Sequence, residues 1–377
     1  MTPYWRLSGL YLFYFAALGA MIPFLALYLD HVGFSAREIG LLFGIQVGAR
    51  IVAPNLVSWY SDRDGRHMRT ARLAAFGCCV TIAGLWLGTG FGWVAFVLAA
   101  WAFCFSAMLP PIEATALNHL GAHGYGGTRL WGSVGFIAAV VALGPALDAH
   151  GAAFLVPVMF ALLAALFAAS LLVPDKRHPL EAPAAGTFLN ALARREVLVL
   201  IAVGLCAQFA HGPYYSFFSL YLEGLGYTRA AIGQFWALGV VAEIGVFVFM
   251  GPLLARFPAR RLLAWSLALS TLRWLLIAAF ADKMAALALA QVLHLASFGI
   301  FHAVSIGLVH RYFPGRLQGR GQALFSSLTF GLGTALGSMA AGFLWDGFSP
   351  SVIWFASAAS AAVAFCLLLA TKWGSRG

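Results

Sequence analysis

The stretch FLALYLDHVGFSAREIGLLFGIQVGAR at residues 24–50 returns as FFSLYLEGLGYTRAAIGQFWALGVVAE at residues 217–243. A shift of 193 positions aligns the two without a gap and gives nine identities over 27 positions. Phe24, Leu27, Tyr28, Leu29 and Gly33 meet Phe217, Leu220, Tyr221, Leu222 and Gly226, and Ile39, Gly40, Val47 and Ala49 meet Ile232, Gly233, Val240 and Ala242. Apolar composition supplies some chance matches. It does not supply a shared order of Leu-Tyr-Leu, an acid (Asp30, Glu223), Gly and Ile-Gly. The chain therefore reads as a duplicated unit, with two halves of parallel topology related by a pseudo-twofold axis along the membrane normal.

Working outward from the repeat, apolar runs fall at 8–29, 37–58, 70–89, 92–114, 129–147 and 152–173. A second set falls at 197–222, 230–254, 262–281, 285–309, 322–345 and 350–371. Each is long enough to cross a hydrocarbon layer of about 30 Å, which takes about 20 residues of helix. Twelve such helices use about 250 residues and leave only short loops in a chain of 377. The expected fold is an all-α membrane protein of twelve transmembrane helices. It has an N-terminal six-helix bundle at 1–173, a linker at 174–196 and a C-terminal bundle at 197–377. With 62% hydrophobic and 10% charged residues, against roughly 25% charged in soluble domains, a water-soluble enzyme is excluded.

The net charge of +10 reports orientation. With the N-terminus in the cytoplasm, 18 of the 23 Lys and Arg residues fall on cytoplasmic segments. Only Arg37, Arg229 and Lys283 fall outside, and Arg50 and Arg273 lie within spans. That asymmetry is the positive-inside pattern, so both termini are expected in the cytoplasm and the protein in the inner (plasma) membrane. The arginines form no basic stripe interleaved with aromatics, so no nucleic-acid partner is expected. The five cysteines lie in apolar runs without metal-ligand spacing, and His119 and His123 lack a third ligand. No metal or cofactor is expected, and no phosphate-cradling loop or hydrolase motif appears.

Six plus six spans around a basic central loop resemble the major facilitator superfamily. The loop after the second span carries Asp62, Arg63, Gly65, Arg66 and Arg69 in that family's local pattern, with Ser58 in place of its first Gly. The matching loop of the second half keeps Gly251, Arg256, Arg260 and Arg261 but has Ala255 where the acid belongs. Within the superfamily the chain is similar over nearly its whole length to the phenylpropionic acid permease group, beside lactose permease and the nucleoside:proton symporters. The residues that suggest this are Arg129 to Phe136, Gly239 to Glu243, Gln208 with His211, Tyr214 and Tyr215, and Gln291 with His294 and His302. The resemblance implies a secondary transporter that alternates access to a central site. It implies uptake of a small aromatic carboxylate with protons as the coupling ion, the lipid bilayer as surroundings and a monomer as the working unit. The rival readings are proton symport of a neutral sugar or nucleoside, and drug:proton antiport. Gly135, Gly144 and Pro145 partly match the antiporter glycine pattern, which Val140 and Asp148 break. A membrane enzyme or sensor needs a catalytic constellation or an output domain, and neither is visible.

An ionised side chain at the bilayer centre costs roughly 2.5–3.5 kcal/mol, so Arg50, Glu243 and Arg273 are functional candidates. Arg50 and Glu243 occupy the same repeat position, about 16–18 Å from the cytoplasmic end, and Arg273 reaches about that height on the adjacent antiparallel span. Glu243 and Arg273 are thus expected to pair, with Ser266 and Ser270 completing the hydrogen bonds, either as a fixed bridge or as a proton-coupling pair. Arg50 lacks an acid at its depth in its own half. A substrate carboxylate would complete it through a bidentate guanidinium contact, and Gln46 one turn away is the structural alternative. Gln291, His294, Phe298, His302 and Ser305 share an arc of about 80° on an ideal helix, and Gln208, His211 and Tyr215 form a second stripe beside Tyr214. These stripes should face protein or water rather than lipid, as substrate contacts or, for His211 and His302, as alternative proton sites. Asp62, Arg63, Arg66, Glu113 and Arg129, near the cytoplasmic ends of the spans, are the candidate gating charges.

Overall fold

The computed structural model describes residues 3–64, 66–175 and 188–371, with side chains at all of them except 54–64, 122, 123 and 316. Regular structure among the described residues is entirely helical. The N-terminal helices are α1 (Pro3–Val32), α2 (Ala36–Asp64), α3 (His67–Ala83), α4 (Phe91–Gly121), α5 (Gly124–His150) and α6 (Leu155–Leu172). The C-terminal ones are α7 (Arg195–Gly224), α8 (Arg229–Arg256), α9 (Ala259–Phe280), α10 (Met284–Tyr312), α11 (Gln318–Gly347) and α12 (Val352–Ala370). Eleven helices among the described residues are long and apolar enough to cross a membrane. The remaining expected span, 37–58, lies within the 29 residues of α2. The centre of the expected linker, 176–187, lies outside the described residues.

The fold divides into two compact units. One holds residues 1–182 with 226–234, and the other 183–225 with 235–377. Each contains a crossing that only a missing Cβ permits. In the first, a Cβ on Gly135 of α5 would overlap the Leu12 carbonyl of α1. In the second, a Cβ on Gly337 of α11 would overlap the Phe209 carbonyl of α7. Helix pairs packed backbone to backbone on small residues are the membrane solution where no hydrophobic force separates helix from lipid. The turn between α4 and α5 rests on Gly121, whose φ of 65° an L side chain rarely adopts.

The duplication extends to the ends of the helices. Arg72 of α3 donates through Nε to Ser170 O (3.2 Å) and through Nη2 to Val173 O (2.6 Å), closing the end of α6. Arg260 of α9 donates through Nη2 to Leu368 O (3.1 Å), Leu369 O (3.1 Å) and Thr371 O (2.8 Å), closing the end of α12. Each guanidinium satisfies carbonyls that the last helical turn leaves without partners and sits at the negative end of the dipole. On the opposite side of the first unit, Asp148 caps the start of α8. Its two oxygens accept from the backbone N–H groups of Arg229 and Ala230, both at 2.9 Å.

Two helices depart from the ideal α geometry that the sequence reading assumed. α10 runs as a π-helix over Leu295–Ile300, and α11 does so over Ser327–Gly333. Beside the first, side chains of α9 meet the backbone of α10: Arg273 Nε donates to Ala290 O (3.0 Å) and Ser266 Oγ to Ala296 O (2.9 Å).

Candidate functional site

In the second unit the buried polar groups gather around Arg273, which is 0% exposed. Beyond its Nε bond to Ala290 O, Nη1 donates to Ser297 Oγ at 2.8 Å. The guanidinium carbon lies 4.2 Å from the Tyr214 ring centroid and 4.3 Å from that of Trp274. Ring quadrupoles and a carbonyl thus surround the charge. The direct ion pair expected between Glu243 and Arg273 is not formed. Glu243 Oε2 instead lies 3.6 Å from His294 Nε2. Ser266 and Ser270 do not serve Arg273 either: Ser270 Oγ donates to Ser266 O, and Ser297 takes the expected role. The physical reason is that the guanidinium is already held by two hydrogen bonds, to Ala290 O and Ser297 Oγ, and by two aromatic faces, while Glu243 has the His294 imidazole beside it.

The rest of the predicted cluster assembles around this core. Tyr214 Oη donates to Gln291 Oε1 (2.9 Å), and its ring packs 4.5 Å from Trp236. His211 places Nδ1 2.9 Å from Ala207 O, so Nδ1 carries the proton, and Nε2 is buried with no hydrogen-bond partner among the described residues. Its ring stands edge-on to Trp274 at 5.0 Å and 6.4 Å from His294. Gln208 Oε1 is 3.5 Å from Thr334 Oγ1. Gln208 Nε2, Gln291 Nε2 and Arg273 Nη2 are buried donors without an acceptor among the described residues. Phe298 and His302 continue the α10 stripe below His294 and are partly exposed, as is Tyr215.

In the first unit Arg50 is half-buried, and Gln46 is 3% exposed with its Nε2 meeting no acceptor among the described residues. The gating candidates Glu113 and Arg129 form an ion pair between α4 and α5. Tyr125 joins it, donating to Glu113 Oε1 (3.1 Å) while Arg129 Nη1 donates to Tyr125 Oη (3.3 Å). Phe15 lies under the Arg129 guanidinium at 6.0 Å. The side chains of Asp62 and Arg63 lie outside the described residues, and Arg66 is exposed. The sequence reading missed Tyr125, Trp236, Trp274 and Ser297. Tyr125 was findable, since it stands one turn before Arg129. Ser297 was not, because a 100° periodicity places it off the stripe.

A bundle of long apolar helices with charged side chains inside its spans is the architecture of a multi-pass membrane protein. The comparisons with known proteins place it further. The sequence matches the MFS_1 like family over residues 4–356, and the chain belongs to that family of secondary transporters. It is 30% identical over 365 residues to the probable 3-phenylpropionic acid transporter of Escherichia coli (strain K12), covering 93% of each chain. It is 30% identical over 386 residues to the maltose permease of Geobacillus stearothermophilus, covering 97% of this chain and 94% of that one. Among solved structures, a mutant of nucleoside transporter NupG superposes with a TM-score of 0.86 at 17% identity, covering 98% of this chain and 99% of that one. That last likeness establishes the major facilitator fold. The protein is a multi-pass membrane transporter of a small molecule, and not an enzyme.

Proposed function

We propose that this protein takes up a small aromatic carboxylate of the phenylpropionate type together with protons, alternating access across the inner membrane as a monomer with both termini in the cytoplasm. The observation that carries the reading is the Glu243–His294 pair at 3.6 Å. A carboxylate locked onto Arg273 would keep its charge permanently. One that faces an imidazole shares a proton with it, and the pair changes net charge when that proton leaves. Arg273 then acts as the fixed positive charge that holds the site in register, and His211 and His302 stand as secondary proton sites. Arg50 is the proposed anchor for the solute carboxylate, with Gln46 beside it, while Gln208, Gln291, Tyr214 and Tyr215 supply polar and aromatic contacts. Glu113 with Arg129 is the proposed cytoplasmic gate, together with Asp62, Arg63 and Arg66. The relative named for 3-phenylpropionic acid supports the solute class.

The test is uptake into energised vesicles. Labelled 3-phenylpropionate should accumulate and leak out on addition of an uncoupler. Glu243→Gln should abolish accumulation yet preserve exchange of preloaded solute, and accumulation that survives in Glu243→Gln overturns the proton assignment. The maltose permease relative favours a second reading, uptake of a neutral sugar. Accumulation of maltose in the same vesicles, with no competition from aryl acids, would establish it.

A further inference from the structure

We propose that the solute's aryl ring seats in a corner of the second unit built by Phe298, His302 and Phe330, and that Phe330 is a specificity-determining residue. The proposal rests on the reading of the solute as an aromatic carboxylate. On α10 the rings of His294, Phe298 and His302 form a ladder of nearly parallel planes. Successive centroids are 5.5 and 5.6 Å apart, with interplanar angles of 12° and 8°. Phe330 on α11 stands across it, 6.1 Å from Phe298 at 76° and 5.4 Å from His302 at 70°. One wall and one perpendicular face make a corner of the kind that aromatic rings favour, offset-parallel to one ring and edge-on to another.

Two observations separate this corner from ordinary packing. Phe298 and Phe330 are partly exposed although the residues flanking them in sequence, Ser297 and Gly299, Thr329 and Gly331, are buried. Phe298 also lies in the π-helical turn of α10 and Phe330 in that of α11. π turns occur frequently at functional sites, and here each of two carries one ring of the same corner. Phe325, fully buried, braces Phe330 at 6.4 Å. The ladder's upper end, His294, is the partner of Glu243, so a ring in the corner is one ladder step from the proposed proton pair. Occupancy and protonation would then act on the same helix.

The experiment compares binding of 3-phenylpropionate and of 3-cyclohexylpropionate, its saturated-ring counterpart, to the purified full chain. Wild type should prefer the aryl acid. Phe330→Leu, which keeps bulk but removes the ring, should weaken 3-phenylpropionate by about 3- to 10-fold and the cyclohexyl acid by little, whereas Phe330→Tyr should keep the preference. Equal losses for both acids, or no loss for either, overturn the assignment. If Phe330→Leu fails to fold, Phe298→Leu is measured with the same pair of acids: a loss confined to the aryl acid supports the corner, and an equal or absent loss overturns it. A wild type that binds neither acid rejects the solute class itself, an outcome distinct from a wild type that binds both and variants that do not discriminate.

Discussion

Arg273 keeps its charge in an apolar interior because its donors meet a carbonyl and a hydroxyl and its faces meet two rings. Lysine offers neither the planar fork nor the stacking face, so Arg273→Lys is expected to cost about 2 kcal/mol, read as a lower melting temperature in detergent. Glu243→Gln should leave all those contacts intact and melt close to wild type, within about 0.5 kcal/mol. Equal losses in the two variants would mean that a Glu243–Arg273 bridge holds the unit together after all. That these residues lie within long apolar helices was legible in the sequence. Their partners were not. Angular bookkeeping at 100° per residue holds only while the helix stays α, and α10 leaves that geometry immediately after His294. His294 was therefore expected among the substrate contacts and emerges as the partner of the acid.

Whole helices are pinned where their ends would otherwise strand backbone groups. Arg72 and Arg260 bind the carbonyl ends of α6 and α12, a role that the sequence reading, which gave Arg260 only as part of a loop motif, assigned to neither. Helix C-termini attract cations, but sequence alone does not tell which helix end a loop arginine meets. Arg72→Ala and Arg260→Ala are each expected to lose about 1–2 kcal/mol of stability, with transport in the surviving folded fraction retaining its solute affinity. Melting curves and affinity measured on the same preparations check both halves of that statement. Asp148, which the sequence analysis named for breaking an antiporter pattern, caps α8 through two backbone bonds. Asp148→Ala should cost about 1 kcal/mol, and Asp148→Asn, which retains one acceptor oxygen, distinctly less. Equal melting of the two would remove the cap from the account of that helix.

At the largest scale the sequence was most informative, for a physical reason. Span length, charge asymmetry and duplication are each summed over many residues, so a π turn or a misjudged partner does not disturb them. The twelve apolar runs and the helices found agree to within a few residues at most ends, whereas side-chain pairing depends on single turns. The charge split of 18 inside to three outside makes a strong demand on orientation, since each misplaced arginine must cross a low-dielectric layer. Green fluorescent protein fused after Gly377 should therefore fluoresce, because it matures in the cytoplasm, and alkaline phosphatase fused there should stay inactive. The same reporters inserted in the α7–α8 loop, near Leu225, should give the reverse. An active phosphatase at the C-terminus would place the basic loops outside. It would also move the proposed Glu113–Arg129 gate to the outer side, since that pair is placed by the sequence at the arginine-rich end of the spans.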